Sequence, residues 1–172
     1  MKNLKNIFTM ALVTTCMSAC TGFLDIEPET TLTGKNFYKS PDDIRSALYS
    51  TYSSLRDNGL YSASIYLFGD VRSDVAFPNQ TNYYANTFRH EKFTISANNS
   101  GNQNYWAHHY KGIIRANTVI EKGKELFGND EAVQKYIAEA EVLRALFYFN
   151  LVRAYGGVPI IMDIPQEYTD SR

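Results

Sequence analysis

Residues 131–159 read EAVQKYIAEAEVLRALFYFNLVRAYGGVP and show the clearest periodic pattern of the chain. Its apolar side chains recur every three or four residues, which is the period of an α-helix with a buried face. The members of that stripe are Val133, Tyr136, Ile137, Ala140, Leu143, Phe147 and Leu151. Gly156-Gly157 and then Pro159 end the pattern, because glycine terminates helices and proline cannot continue them. The stretch therefore predicts one long helix over residues 131–155.

The same helix carries a second set of apolar residues beside its main stripe. Leu146, Phe149 and Val152 extend the apolar surface around most of the helix circumference. A surface helix of a globular protein needs only one apolar stripe, about 100° wide. We therefore expect this helix to have neighbours on more than one side.

A second long helix precedes it, over about residues 104–126. Its stripe consists of Trp106, Tyr110, Ile113, Asn117 and Ile120. Gly128-Asn129-Asp130 separates the two helices, and two long helices joined by a short turn form a helical hairpin. Asn117 interrupts the apolar stripe, and a buried asparagine must be hydrogen-bonded. We therefore expect Asn117 to find a partner on a neighbouring helix.

An earlier helix begins at Ser40, where Ser40-Pro41-Asp42-Asp43 combines an N-cap hydroxyl, a first-turn proline and two carboxylates. Its predicted buried face is Ile44, Leu48, Thr51, Tyr52 and Leu55, and Asn58-Gly59 is expected to stop it. Residues 64–72 fit either a short helix or an extended segment. Residues 77–104 are a long polar loop with a possible short strand over 91–95. Together these patterns predict an all-α fold with long irregular loops.

The N-terminus has the parts of an export signal. Lys2 and Lys5 precede a short apolar run, residues 7–13, and Ser18-Ala19 comes directly before Cys20. The run is too short to cross a bilayer, which needs about 20 residues. The site looks like the lipobox of bacterial lipoproteins, with Met17 where leucine is usual. We therefore predict a lipoprotein signal peptide over residues 1–19, lipid such as palmitate on Cys20, and an extended tether over residues 20–39.

Composition narrows the classes of partner. The chain has 17 basic and 18 acidic residues, and no basic stripe that would indicate nucleic-acid binding. It is rich in aromatic residues, with 13 Tyr and 10 Phe. Such side chains fill cores, but they also form surfaces that stack on flat ligands.

Enzyme chemistry has little support in the sequence. His108 and His109 are adjacent, so on a helix they point about 100° apart and cannot chelate one metal ion together. Glu139 and Glu141 also diverge, which argues against a paired-carboxylate glycosidase. No nucleophile elbow and no phosphate-binding glycine loop is present. We therefore expect no catalytic residues, no metal and no cofactor.

Two charged groups are open to more than one interpretation. Asp70, Arg72 and Asp74 alternate, which could bind a cation or a sugar hydroxyl, although an ion-paired network that anchors the segment is the preferred interpretation. Arg144 lies among apolar neighbours, so we expect it to pair with a carboxylate or a helix end.

The polar loop is the predicted ligand-binding site. Sugars present an apolar face, which aromatic rings cover, and a rim of hydroxyl groups, which amides and arginines meet. The proposed binding residues are Asn82, Tyr83, Tyr84, Arg89 and Asn102, with Phe88, Asn98 and Asn99 nearby. The alternative is that Tyr83 and Tyr84 only pin the loop to the body.

Five segments, taken in order behind the lipobox, resemble the N-terminal part of the SusD/RagB family of nutrient-binding outer-membrane lipoproteins. They are Phe23-Leu24-Asp25-Ile26-Glu27-Pro28, Asp70-Val71-Arg72-Ser73-Asp74, Trp106 with Tyr110-Lys111-Gly112-Ile113 and Arg115-Ala116-Asn117, Glu139-Ala140-Glu141-Val142-Leu143-Arg144-Ala145, and Tyr148-Phe149-Asn150-Leu151-Val152-Arg153 running into Tyr155-Gly156-Gly157-Val158-Pro159. Glu141 stands where the family often has Arg, and Asn150 where it often has Asp.

The resemblance implies tetratricopeptide-like helical hairpins, a glycan or other nutrient as ligand, and a SusC-like TonB-dependent transporter as partner. It also implies a lipid-anchored location on the outer membrane, exposed at the cell surface. Family members run to several hundred residues, so residues 40–172 are expected to be the N-terminal helical part of a truncated SusD-like domain with an incomplete fold. The alternatives are a helical protein–protein adaptor and a truncated product without function.

Overall fold

The structure, a computed structural model, describes residues 37–73, 75–77 and 85–164. Within these ranges the helices are α1 (Pro41–Ser54), α2 (Ile65–Phe68), α3 (Ala85–Glu91), α4 (Ser100–Phe127) and α5 (Glu131–Tyr155), with a short 3-10 helix η1 (Asp70–Arg72) after α2. These ranges contain no β-strand. The predicted all-α fold is therefore confirmed for the described part of the chain.

The α4–α5 hairpin forms the centre of the core, and α1 packs across both of its helices. Completely buried side chains from all three helices meet there, among them Ile44, Ile113 and Phe147. Helix α5 has the predicted bounds. Helix α4 begins four residues earlier than predicted, because the side chain of Asn99 caps it by accepting a hydrogen bond from Asn102 N–H at 3.2 Å.

Helix α1 starts where the sequence predicts. The Asp43 carboxylate accepts hydrogen bonds from the Ser40 hydroxyl, the Ser40 N–H and the Lys39 N–H, at 2.8, 2.8 and 3.0 Å. The Ser40 hydroxyl is the main cause of a lowered pKa for Asp43, which stays ionised at the positive end of the helix. The helix ends at Ser54, before the predicted Asn58-Gly59 stop, and residues 55–64 form a series of turns.

Three predictions about local structure need correction. Tyr52 is not in the core: it is exposed, and its hydroxyl donates to Glu139 on α5 at 2.9 Å. Residues 91–95 are not a strand, because Glu91 ends α3 and a turn follows. The loop predicted over residues 77–104 contains α3 and the first turn of α4. For residues 64–72 the helical alternative is the correct one.

After α5 the chain turns back over the hairpin. Gly156, which follows the last residue of α5, has a φ of 76°, a value that glycine adopts far more readily than residues with a side chain. Residues 158–164, which we call the return strap, then lie against both long helices. The hydroxyl of Tyr110 on α4 donates to the Pro159 carbonyl at 2.7 Å. From α5, the Tyr148 hydroxyl bonds to Ile161.

Asn117 connects the strap to the hairpin. Its amide Nδ2 donates to the Ile161 carbonyl at 2.9 Å, and its Oδ1 accepts from Arg144 Nη1 on α5 at 2.9 Å. The predicted partner on a neighbouring helix is thus confirmed. The prediction for Arg144 is wrong, because its hydrogen bond in the described residues is to this amide and not to a carboxylate or a helix end.

The second apolar set on α5 faces outward. Phe149 and Val152 are each more than half exposed, as is Val142 on the same side, while Leu146 is half-buried. Within the described residues no element covers this face. No helix in those same ranges combines the length and the apolar character needed to cross a membrane.

Candidate ligand-binding site

The predicted site residues are distributed unevenly over the structure. Cys20, Asn82, Tyr83 and Tyr84 lie outside the described residues, as do the signal peptide and almost all of the predicted tether. Arg89 is exposed on α3. Asn102 lies half-buried in the first turn of α4, where its Oδ1 accepts a hydrogen bond from the Tyr155 hydroxyl at 2.8 Å. Asn102 therefore ties α4 to the end of α5.

A hollow of about 200 Å³ lies where α2 and η1 meet the start of α4 and the end of α5. We call it the aromatic hollow. Its walls are Ile65, Tyr66, Phe68, Gly69, Asp70, Tyr105, Arg153 and Ala154. It is smaller than typical drug-sized pockets of about 300–1,000 Å³. It therefore suits one ring-sized group of a ligand.

The inner wall of the aromatic hollow is a packed group of rings. Phe68 lies with its ring centroid 4.1 Å from that of Tyr105 and 5.6 Å from that of Tyr155. Tyr105 is buried, and burial raises its pKa to about 12. Burial likewise raises the pKa of Tyr155. Both phenols are therefore neutral at any physiological pH, and this wall of the hollow is largely apolar.

The rim of the aromatic hollow is polar and carries one acidic and one basic side chain. Tyr66 is 43% exposed, which leaves part of its ring free to meet a ligand. Asp70 and Arg153 are exposed on the same rim. A carboxylate accepts hydrogen bonds and a guanidinium donates them. With an aromatic ring beside them, they can bind a small polar ring that has one apolar face.

Arg72 holds this segment in place. Its guanidinium lies over the rings of Phe68 and Phe93, 5.7 and 5.1 Å from their centroids, in cation–π geometry. Within the described residues, no ion pair joins Asp70 to Arg72, and Asp74 lies outside those residues. The preferred interpretation, an ion-paired network, is therefore not supported by this pair. Asp70 instead lines the hollow.

Two buried histidines border the ring group. His90 on α3 packs edge-on against Phe68, and its Nε2 lies 3.3 Å from Asn99 Oδ1. His109 Nδ1 lies 2.7 Å from the Tyr105 carbonyl, which can only accept, so Nδ1 carries the proton. Burial is the main cause of a lowered pKa at both, to about 4 for His109. Both are therefore neutral at pH 7.

The adjacent His108 points away from His109, as the sequence predicts. It is partly exposed, and its Nδ1 lies 3.2 Å from the carboxylate of Asp57. Lys111 bonds to the same carboxylate at 3.2 Å. No group of three potential metal ligands occurs in the described ranges.

Sequence reasoning missed Tyr66, Tyr105 and Arg153. Tyr66 lay in the segment that could not be assigned, and Arg153 was one of many charges on α5. The one residue of this rim that the sequence indicates is Asp70, a possible ligand of a sugar hydroxyl, which lies four residues after Tyr66.

A family model described as "Starch-binding associating with outer membrane" matches residues 22–172, most of the chain. The chain belongs to the SusD-like family. The resemblance found in the sequence is thus confirmed. No solved structure matches the chain.

Three SusD-like proteins of Formosa agariphila are similar to this SusD-like chain. SusD-like protein P38 is 28% identical over 99% of the chain. SusD-like protein P25 is 29% identical over 86%, and SusD-like protein P2 is 26% identical over 94%. The matches cover 33%, 29% and 31% of these relatives, so the chain spans about a third of their length.

Proposed function

We propose that this SusD-like protein is a non-enzymatic binding protein of the outer membrane that captures a glycan at the cell surface. In this proposal lipid on Cys20 anchors it, and it delivers the glycan to a SusC-like TonB-dependent transporter. The observation that carries the proposal is the match of residues 22–172 to a family described as starch-binding and associated with the outer membrane.

The aromatic hollow supports the glycan part of the proposal. A pyranose ring has an apolar face that can lie on the exposed part of Tyr66. Its hydroxyl groups both donate and accept hydrogen bonds, which suits a rim with one carboxylate, Asp70, and one guanidinium, Arg153. The hollow has the size for one such ring.

The residues predicted from the sequence remain part of the proposed site. Asn82, Tyr83, Tyr84 and Arg89 offer the mixture of rings and hydrogen-bonding groups that a glycan needs. Asn102 is the weakest of them, because its side-chain oxygen is already bonded to Tyr155.

Affinity electrophoresis in gels that contain starch, followed by calorimetry with maltooligosaccharides, tests the proposal directly. We expect retardation by starch or by another polysaccharide in the panel, and at least a tenfold loss of affinity in Tyr66→Ala. Tyr49→Ala is the matched control, because Tyr49 is also exposed but lies on α1. Failure to bind any glycan in a broad panel would contradict the proposal.

A protein–protein adaptor is the second candidate, and the outward apolar face of α5 favours it. Val142, Phe149 and Val152 could contact a protein partner. Cross-linking in cells, with a photoreactive residue at position 149, distinguishes the two. Capture of a protein without any glycan binding would support the adaptor. Glycan binding together with capture of a TonB-dependent transporter at any surface position would support the main proposal.

A further inference from the structure

A second hollow, of about 320 Å³, opens on the series of turns between α1 and α2. We call it the turn hollow. It is lined by Leu55, Arg56, Tyr61 and Ser62. Tyr61 is 47% exposed, and Arg56 and Ser62 are exposed beside it. A half-exposed tyrosine next to an arginine repeats the arrangement of the aromatic hollow.

One buried residue connects the two hollows. Asn150 on α5 is only 2% exposed. Its amide Nδ2 donates to the Tyr61 hydroxyl at 3.1 Å, and its backbone carbonyl accepts from the Tyr105 hydroxyl at 3.2 Å. Tyr61 lines the turn hollow and Tyr105 lines the aromatic hollow. One lining residue of each hollow is therefore hydrogen-bonded to Asn150.

The turn that carries Tyr61 is fixed by its own packing. Leu60 is completely buried, and the Tyr61 N–H donates to the Leu55 carbonyl at 3.1 Å. Gly59 lies so close to α4 that a Cβ atom there would collide with the backbone of Asn104 and the side chain of His108. A binding surface that is already ordered loses little entropy when a ligand arrives.

The polar side chains of the turn hollow can all donate hydrogen bonds. The Tyr61 hydroxyl accepts the bond from Asn150, so its own proton is available to a ligand. Ser62 adds a second hydroxyl, and the guanidinium of Arg56 forms no ion pair within the described residues. The neighbouring carboxylate of Asp57 is bonded to Lys111, and the Nδ1 atom of His108 lies 3.2 Å from it. The lining thus contains no carboxylate that would repel an anion.

We propose that the turn hollow is a second subsite, which binds an acidic substituent on the sugar unit next to the one in the aromatic hollow. The substituent is a carboxylate or a sulfate ester, because planar or tetrahedral oxyanions match the paired donors of arginine. The aromatic hollow, with one carboxylate and one guanidinium, takes the neutral unit. This inference rests on the proposed function and narrows its ligand to an acidic oligosaccharide.

Calorimetry on the full chain tests the inference with three tetrasaccharides: maltotetraose, tetragalacturonate and a sulfated galactose tetramer. We expect at least one of the two acidic ligands to bind tenfold or more tightly than the neutral one. That preference should weaken as the salt concentration rises from 0.05 to 0.3 M, because the screening length falls from about 14 Å to about 6 Å. Comparison of the affinities of the two acidic ligands shows whether the turn hollow prefers a carboxylate or a sulfate ester.

Substitutions of the lining residues test whether the preference for acidic ligands arises in the turn hollow. Arg56→Gln should remove the preference for the acidic ligand, and Tyr61→Phe should reduce it severalfold. Arg45→Gln is the control, because Arg45 is exposed on α1 and already paired with Asp42. Equal affinity for neutral and acidic ligands, or a preference that survives Arg56→Gln, would overturn the subsite and leave the proposed function standing. If none of the glycans binds, both proposals fail.

Discussion

Tyr148 and Ile161 exchange two hydrogen bonds: the Tyr148 hydroxyl donates to the Ile161 carbonyl at 3.0 Å and accepts from the Ile161 N–H at 2.6 Å. One phenol therefore satisfies both backbone groups of a strap residue. With Asn117 donating to the same carbonyl, Ile161 is the point at which the return strap is fixed to the α4–α5 hairpin.

Tyr148→Phe should loosen the strap without disturbing the helices. The substitution removes two hydrogen bonds, each of which contributes about 0.5–1.5 kcal/mol. We expect the free energy of unfolding to fall by about 1–3 kcal/mol and amide hydrogen exchange at Ile161 to accelerate. Tyr136→Phe on the same helix is the control, because the Tyr136 hydroxyl has no hydrogen-bond partner among the described residues. Unchanged exchange at Ile161 would show that the strap is held by other contacts.

Gly112→Ala should destabilise the hairpin. A Cβ atom at position 112 would lie 2.6 Å from Cζ of Phe147, whose ring is completely buried and cannot move away. Overpacking of this kind costs about 1–3 kcal/mol, which exceeds the gain of up to about 1 kcal/mol in helix propensity. Thermal melting measures the difference. In Gly157→Ala, where the new Cβ meets nothing within 4 Å, the melting temperature should barely change. Equal melting temperatures for the two variants would contradict this packing argument.

The stability of the protein should fall as the pH is lowered from about 6.5 towards 4. The folded-state pKa of His109 is about 4, below its ordinary value of 6.5, so the unfolded chain binds more protons between these values. Each unit of difference corresponds to about 1.4 kcal/mol, so the total is about 3 kcal/mol. The lowered pKa of His90 acts in the same direction. Urea unfolding at pH 7.5, 6 and 5 measures the slope, which His109→Leu should flatten. A slope that this variant leaves unaltered would assign the effect to other groups.

Residues 20–172 on their own should bind a hydrophobic dye or self-associate while they retain helical circular dichroism. The reason is the outward face of α5, where each uncovered large side chain forgoes about 1.5–3 kcal/mol of burial. Replacing Phe149 and Val152 with lysine should lower dye fluorescence. Leu126→Lys, at an isolated exposed leucine of α4, should not. A sharp two-state melt of a monodisperse monomer that binds no dye would refute the expectation.

Cys20→Ala should abolish incorporation of a labelled fatty acid and release the protein from the membrane fraction. The reason is that lipid attachment needs the thiol of the cysteine that follows the predicted cleavage site. Cys16→Ala is the matched control and should label normally. Normal labelling of Cys20→Ala would mean that the anchor lies elsewhere.

The long helices could be predicted from the sequence, whereas the short ones could not. Helix α5 has 25 residues and a sustained apolar stripe, so its bounds could be read from local pattern alone. Helices α2 and α3 have four and seven residues, too few to be stable in isolation. They are held by distant contacts instead, such as Phe68 on Tyr105 and His90 on Phe68.

The candidate site was harder to predict for the same reason. Tyr66 and Arg153 are far apart in the sequence, and only the packing of α2 against the end of α5 places them on one rim. Asp70 could be singled out because it belongs to a recognisable charged motif. Tyr61 could not, since its partner Asn150 lies 89 positions away.

The hydrogen bonds that hold the return strap on the α4–α5 hairpin are made to the backbone of the strap. Tyr110, Tyr148 and Asn117 bind carbonyl and N–H groups, which almost every amino acid provides. The side chains of Ile160 and Met162 are exposed and take no part in this recognition. Substitutions at Ile160 and Met162 should therefore have little effect on stability, whereas substitutions at the three helix residues that bind the strap should destabilise it. Position 160 or 162 is accordingly a suitable place for a reporter dye.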